Sequence, residues 1–224
     1  MLSRVGGLEL DICCSGTMAA LRTAKQELRK EIKRRIAALS EEEKRQQSVV
    51  VSQKLFQHPK YLSCTRIAVF LNMSDEVHTE EIIKDIFKQG KTCFVPKYKI
   101  SSRHMVMLQV RSLHDIETLP LTSWNIRQPE DDDNSREEAF FGGGLDLILV
   151  PGLGFDPLGR RLGRGKGFYD SYLQRCMKQL NSKPYTIALA YKEQLCQEIP
   201  VNSNDVLVDE ILYEDDAQTV TSDK

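Results

Sequence analysis

Apolar residues recur at two different periods along this 224-residue chain, and the period switches several times. Between Ala20 and Leu39, the residues Leu21, Leu28, Ile32, Ile36 and Leu39 fall on one side of a 3.6-residue repeat, which predicts a helix. Ser40 followed by Glu43 is a capping-box pattern, so a second helix is predicted from there to Gln57, with Val50, Val51 and Leu55 facing inward. His58-Pro59 ends it. The run Arg66–Leu71 (RIAVFL) has strand composition. Helical spacing returns over Thr79–Gln89 through Ile82, Ile83, Ile86 and Phe87, with Gly90 at the C′ position. Thr92–Val95 (TCFV) is the next strand, stopped by Pro96. Strand, helix and strand in about thirty residues make a βαβ unit, with parallel strands and a right-handed crossover.

The alternation continues. Arg103–Val110 sets Met105, Met107 and Gln109 against Val106, Leu108 and Val110, the pattern of a partly exposed strand. Pro129–Glu138 is acidic and reads as a surface loop. Leu145–Val150 (LDLILV) is a buried strand, Gly167–Leu180 a helix, Tyr185–Ala190 (YTIALA) a strand and Val208–Tyr213 a last short strand. No segment repeats. The predicted fold is α/β: a single three-layer α/β/α domain with a mainly parallel sheet and helices on both faces.

Composition adds exclusions. Hydrophobic residues make up 41% and charged residues 28%, the balance of a soluble globular protein. A net charge of −1 gives no global attraction to nucleic acid or to an anionic membrane, so neither is expected as a partner. No apolar run approaches the roughly 18 residues of a membrane span. The six cysteines form no C-x-x-C pair, and the four histidines lack metal-ligand spacing. They read as reduced thiols, which favours a cytoplasmic protein. Residues 1–17 carry Glu9 and Asp11 and no proper apolar core, so they fit neither a secretory signal nor a transit peptide. Met18 looks like a second start. The expectation is a disordered extension over 1–17 and one domain over 18–224, acting as a monomer.

The chemistry concentrates after LDLILV. In open α/β sheets ligands bind beyond the carboxyl ends of strands, and this strand delivers PGLGFDPLGRRLGRGKGFYDSYL to that edge. Glycines at 152, 154, 159, 163, 165 and 167 permit close backbone approach, and Arg160, Arg161, Arg164 and Lys166 supply charge. A helix N-terminus follows, so the segment is built like a phosphate cradle. It is not a P-loop, because Lys166 precedes Gly167 rather than Ser or Thr, and its G-x-G-x-G spacing fails the dinucleotide fingerprint. A flexible loop with solvated arginines is the plainer alternative.

The segment closely resembles the signature of the 5-formyltetrahydrofolate cyclo-ligase family. The likeness runs from Met18 to Asp215 through AKQELRKEIKRRI, FLNMSDEVHTEEIIKDIF, LTSWNI and VDEILYED. It is close to the animal cytosolic members. The resemblance implies that ATP phosphorylates the formyl oxygen of 5-formyltetrahydrofolate and that N10 then closes the ring to 5,10-methenyltetrahydrofolate, with Mg²⁺ and cationic side chains cancelling charge. It implies that ATP is held by Lys25, Arg29, Arg161, Leu162, Gly163, Arg164, Gly165, Lys166, Gly167, Phe168 and Tyr169, with Arg164 and Lys166 catalytic. The folate would meet Arg29, Leu71, Glu76, Trp124 and the stretch from Arg164 to Phe168. Asp170 and Asp205 would hold magnesium.

Taken alone, Asp170 reads as a carboxylate matched to a helix dipole, and Asp205 as a turn residue. Lys25 and Arg29, one turn apart, read as part of a solvated basic face. Trp124 fits a ring-stacking position or a core position equally. Lys97, Lys99 and Arg103 read either as a receptor for a polyglutamate tail on the folate or as solvated cations. Phe168 departs from the family, which usually has tyrosine there, and its missing hydroxyl leaves ring stacking as its contribution. Two rival functions stay open: a relative that binds folate or nucleotide without turnover, and a phosphosugar- or CoA-handling enzyme on a similar scaffold.

Overall fold

The computed structural model describes residues 8–99, 102, 104–123, 125–130, 133, 135–179 and 183–215, with side chains from Met18 onward. Helix α1 (Leu8–Ala37) starts well before Met18, so helix occupies part of the stretch expected to lack structure. The rest of that expectation, for residues 1–7, lies outside the described residues. Ile32 and Ile36 are fully buried as the periodicity predicts.

Helix α2 (Glu41–Gln57) opens on the predicted capping box, with Ser40 and Glu43 each satisfying the other's backbone N–H. Its inward face differs from the prediction. Val51 and Leu55 are buried, but Val50 is only half-buried, and Lys44, Gln47, Ser48 and Ser52 complete the buried stripe. These polar groups are inside because each has a partner. Ser48 and Ser52 hydroxyls donate to carbonyls one turn back, at 2.6 and 2.8 Å. Lys44 Nζ donates to the Ser74 carbonyl at 3.3 Å. The Gln47 amide accepts from Lys192 N–H and donates to Glu193. His58 ends α2 and also caps a short helix that the pattern does not predict, α3 (Pro59–Ser63), its Nδ1 accepting from Lys60 N–H.

Strand β1 (Arg66–Ala68) leads through α4 (Glu80–Lys88) to β2 (Thr92–Lys99) and antiparallel β3 (His104–Val110). Gly90 ends α4 with a positive φ of 67°, as its C′ placement predicts. Strand β2 runs through Pro96 rather than stopping there. Phe94 turns its carbonyl toward β1, accepting from Val69 N–H at 2.9 Å. Pro96, two residues on, faces the same side beyond the end of β1, where no ladder needs its missing N–H. The Gln128 side-chain amide takes that place one step later, donating to Tyr98 C=O and accepting from Tyr98 N–H.

After α5 (Leu113–Thr118), which the pattern also leaves unpredicted, residues 137–139 run beside β3 instead of belonging to a free surface loop. Strand β4 (Leu147–Val150) is followed by a small hairpin of β5 (Gly154–Phe155) and β6 (Arg161–Leu162). Helix α6 (Phe168–Gln179), β7 (Tyr185–Leu189) and β8 (Glu210–Leu212) follow.

The main sheet has the order β3-β2-β1-β4-β7-β8, parallel except for β3. Alternate residues of its strands point to two cores. One joins Ile67, Val95, Leu147 and Ile187 to α1, α2 and α4; the other joins Ala68, Phe94, Ile148 and Ala188 to α6. This is the predicted three-layer α/β/α arrangement. The chain leaves β1 toward β2 on one side and reaches β4 on the other, so the strand order reverses between β1 and β4. The carboxyl ends of those two strands are where an open α/β sheet places its ligand crevice.

Candidate active site

Two segments enter that crevice. Leu71–Glu76 follows β1, and the glycine-rich segment follows β4. The first half of the glycine-rich segment is structural. Asp156, 1% exposed, accepts from the N–H groups of Leu158, Arg160 and Ile199 and so pins the hairpin to the 199–208 loop. Gly159 has φ +77°, and a Cβ there would lie 2.3 Å from the Val208 carbonyl. The exposed cations of the segment begin at Arg164.

Arg161 lies under the loop. Its side chain is 5% exposed, donates to Asp170 Oδ2 at 2.9 Å, and stacks on Tyr169 with 5.5 Å from guanidinium carbon to ring centroid. Gly163 leaves room for it, since a Cβ there would lie 2.9 Å from Arg161 Nη1. Leu162 is buried in the core beside it. Arg164 reaches across the crevice to the β1 segment. It donates to Asp75 Oδ1 at 2.6 Å and to Glu76 Oε1 at 3.0 Å through Nη2 and 3.3 Å through Nε. Gly165 (φ +103°) and Gly167 (φ +70°) shape the loop on either side of Lys166. Lys166 is exposed and, among the described residues, makes no hydrogen bond or ion pair.

Helix α1 closes a further side. Lys25 Nζ pairs with Asp205 Oδ2 at 2.5 Å, and Arg29 Nε donates to the Gly163 carbonyl at 2.9 Å. Burial holds the Arg29 guanidinium below its ordinary value, with the charge of Asp205 opposing. Lys25 and Arg29 are therefore committed to the crevice rather than to a solvated basic face. Asp205 also accepts from Asn202 N–H, and Asp170 Oδ1 accepts from Val206 N–H, the residue after Asp205. The two aspartates thus belong to one neighbourhood, each with a resident cation. Hard carboxylate oxygens of this kind suit magnesium, which takes one or two carboxylates and fills its shell with phosphate and water. Among the described residues no three His, Cys, Asp or Glu cluster as a metal cage.

Glu76 is held from several sides. Its Oε2 accepts from Met73 N–H at 3.0 Å, and its carbonyl accepts from the Tyr191 hydroxyl at 2.6 Å. Burial pushes its carboxyl above the usual carboxylate range, against the pull of Arg164. For Arg164, burial works against the charge, yet Asp75 and Glu76 outweigh it and hold the guanidinium above its ordinary value. Leu71 is half-buried at the crevice edge. Phe168 and Tyr169 are buried at the start of α6, and Phe168 packs on Tyr98 with ring centroids 5.0 Å apart. Burial raises both the Tyr98 and the Tyr169 hydroxyl, which interact with each other.

The sequence-predicted residues Lys25, Arg29, Arg161–Asp170, Glu76 and Asp205 therefore converge, while Trp124 and Arg103 lie outside the described residues. Lys97 of the basic patch donates to the Glu130 carbonyl. Sequence reading gave no role to Asp75, Tyr98 or Tyr191. Asp75 sits in the FLNMSDEVHTEEIIKDIF run that carries the resemblance, so only its partner was hidden; the tyrosines carry no local signal.

The "5-formyltetrahydrofolate cyclo-ligase family" model matches residues 22–214. A mouse protein named 5-formyltetrahydrofolate cyclo-ligase is 57% identical over 86% of this chain and 95% of its own length. A probable 5-formyltetrahydrofolate cyclo-ligase of Caenorhabditis elegans is 36% identical over 88% of this chain and 96% of its own. The NMR structure of the Aquifex aeolicus 5,10-methenyltetrahydrofolate synthetase superposes with a TM-score of 0.67 and 30% identity, covering 84% of this chain and 88% of that one.

Proposed function

The chain belongs to the 5-formyltetrahydrofolate cyclo-ligase family and is an enzyme of the ligase class, and from that premise we propose that it converts 5-formyltetrahydrofolate and ATP to 5,10-methenyltetrahydrofolate, ADP and phosphate. The formyl oxygen attacks the γ-phosphorus, and the bond to ADP breaks. The N10 lone pair then attacks the formyl carbon, the carbon–oxygen bond breaks, phosphate leaves with that oxygen, and N10 gives up its proton to solvent. Phosphorylation makes an amide-like oxygen into a leaving group. The chain's own part is positioning and charge compensation.

In this reading Lys25 and Arg29 hold the nucleotide phosphates from the α1 side, and Lys166 and Arg164 face the transferring phosphoryl group. Asp170 and Asp205 would hold magnesium, which supplies charge neutralisation among the phosphate oxygens when bound. Arg161 acts from beneath, keeping the Asp170 carboxylate oriented. Glu76 accepts from the pterin amino group and ring N–H, with Leu71 and Phe168 as apolar wall and Trp124 as a stacking partner. The folate is taken with or without a polyglutamate tail. No described helix is long and apolar enough to cross a membrane. Cys64, Cys93, Cys176 and Cys196 are free thiols, which accords with a reducing cytoplasm, and the partners in this reading are small molecules.

The observation that supports this reading best is the meeting of Arg164, from the glycine-rich loop, with Glu76 of the β1 segment at the reversal of strand order. It sets a phosphate cradle and a pterin acceptor face to face. Supplying 5-formyltetrahydrofolate, ATP and magnesium together should raise near-ultraviolet absorbance in step with ADP release, and omitting the ATP should abolish the rise. Protein that binds folate yet forms no methenyl product would refute the proposal and leave the silent-binder reading.

A further inference from the structure

The guanidinium of Arg164 stands on an unusual foundation. Glycines flank it on both sides, and among the described residues the neighbouring Gly163 carbonyl accepts from one donor, Arg29 Nε. Backbone and neighbouring side chains do little to aim it. The aim comes from the β1 segment. There the Glu76 N–H donates to the Met73 carbonyl at 3.1 Å and Met73 N–H donates to Glu76 Oε2, a closed turn that fixes the Glu76 carboxylate.

Glu76 alone would fix Arg164 poorly. Both bonds from Arg164, at 3.0 and 3.3 Å, fall on the one oxygen Oε1, about which the guanidinium can swing. Asp75 supplies the second direction, at 2.6 Å and with a side chain 29% exposed. Two acceptors on the Nε/Nη2 edge define the plane of the fork. The opposite nitrogen, Nη1, makes no bond among the described residues. Its two N–H groups are the ones left for an anion.

We infer that Asp75 is a positioning residue for Arg164, aiming the Nη1 edge of the guanidinium at the transferring phosphoryl group. The inference deepens the proposed activity and rests on it for the identity of the anion. Asp75 itself touches neither substrate, so its removal acts on turnover through Arg164 rather than on folate affinity. A displacement of about 1 Å at such a group costs on the order of a hundredfold in rate. Lysine at position 164 has no fork to aim, so Asp75 has nothing to position there.

The test is a double-mutant cycle of Asp75→Ala and Arg164→Lys, with kcat and folate KM measured separately and Arg164 Nε–Hε followed by ¹⁵N NMR. Asp75→Ala should lower kcat by about ten- to a hundredfold, leave folate KM within about twofold, and keep the thermal midpoint. In the Arg164→Lys background it should add nothing further. Asp75→Glu should recover part of the loss. The Arg164 Nε–Hε signal should move in Asp75→Ala. Additive losses, a raised KM with kcat intact, or an unmoved signal would each overturn the inference. The NMR arm needs no substrate, so it separates failure of this inference from failure of the proposed reaction, which wild-type turnover tests.

Discussion

Two kinds of cation face the crevice, and they are held in opposite ways. Lys25, Arg161 and Arg164 are each tied to a carboxylate, at 2.5, 2.9 and 2.6 Å. Lys166, two residues past Arg164, is exposed and unpaired among the described residues. The paired cations and their acids hold one another in place, because a charge taken out of water must find an opposite one. The unpaired lysine contributes nothing to the shape. Its long, flexible stem suits it to follow a phosphoryl group as charge develops. Arg161 is thus structural, while its loop neighbours Arg164, aimed by its acids, and Lys166, left free, both serve the chemistry.

The largest effect should come from the free member. Lys166→Ala is expected to lower kcat by about a thousandfold or more, the scale of losing a charged transition-state contact, with an unchanged thermal midpoint. Near-wild-type turnover would erase the distinction. Arg161→Met should act on stability as well. Removing one partner of a pair with side chains 5% and 17% exposed leaves Asp170 uncompensated, and denaturant titration should show a loss of about 3 kcal/mol.

A smaller effect concerns pH. Burial raises the Glu76 carboxyl in the folded state, so the unfolded chain gives up that proton first. The stabilising contribution is complete below the unfolded value of about 4.3 and is lost as pH rises through the raised folded value. Wild type should therefore lose stability relative to Glu76→Gln over that window, and a difference that stays flat with pH would contradict the assignment. Smallest of all, Phe168→Tyr should keep activity within about twofold, since the ring already packs on Tyr98 and the added hydroxyl changes little of that burial.

Much of this arrangement is legible in the sequence because it is written locally. The βαβ unit, the capping box at Ser40 and the C′ glycine at position 90 all depend on residues within one or two turns. The convergence of Lys25 with Asp205 is not local; only the family resemblance placed both in one site. The buried polar stripe of α2 was hidden because Lys44, Gln47 and Ser48 read as surface residues until Ser74, Lys192 and His78 are seen to meet them. Pro96 misled in a similar way. A proline stops a strand only where a ladder needs its N–H, and whether β1 reaches that far is a tertiary fact. Asp75 is the site's own instance: an ordinary turn residue until Arg164 arrives from far along the chain.

The central claim is that the formyl oxygen is itself phosphorylated inside this crevice. Turnover of 5-formyltetrahydrofolate carrying ¹⁸O in the formyl group, followed by mass analysis of the products, tests it directly. The label should appear in the released inorganic phosphate and not in ADP. Label recovered in water or formate, with unlabelled phosphate, would contradict the account.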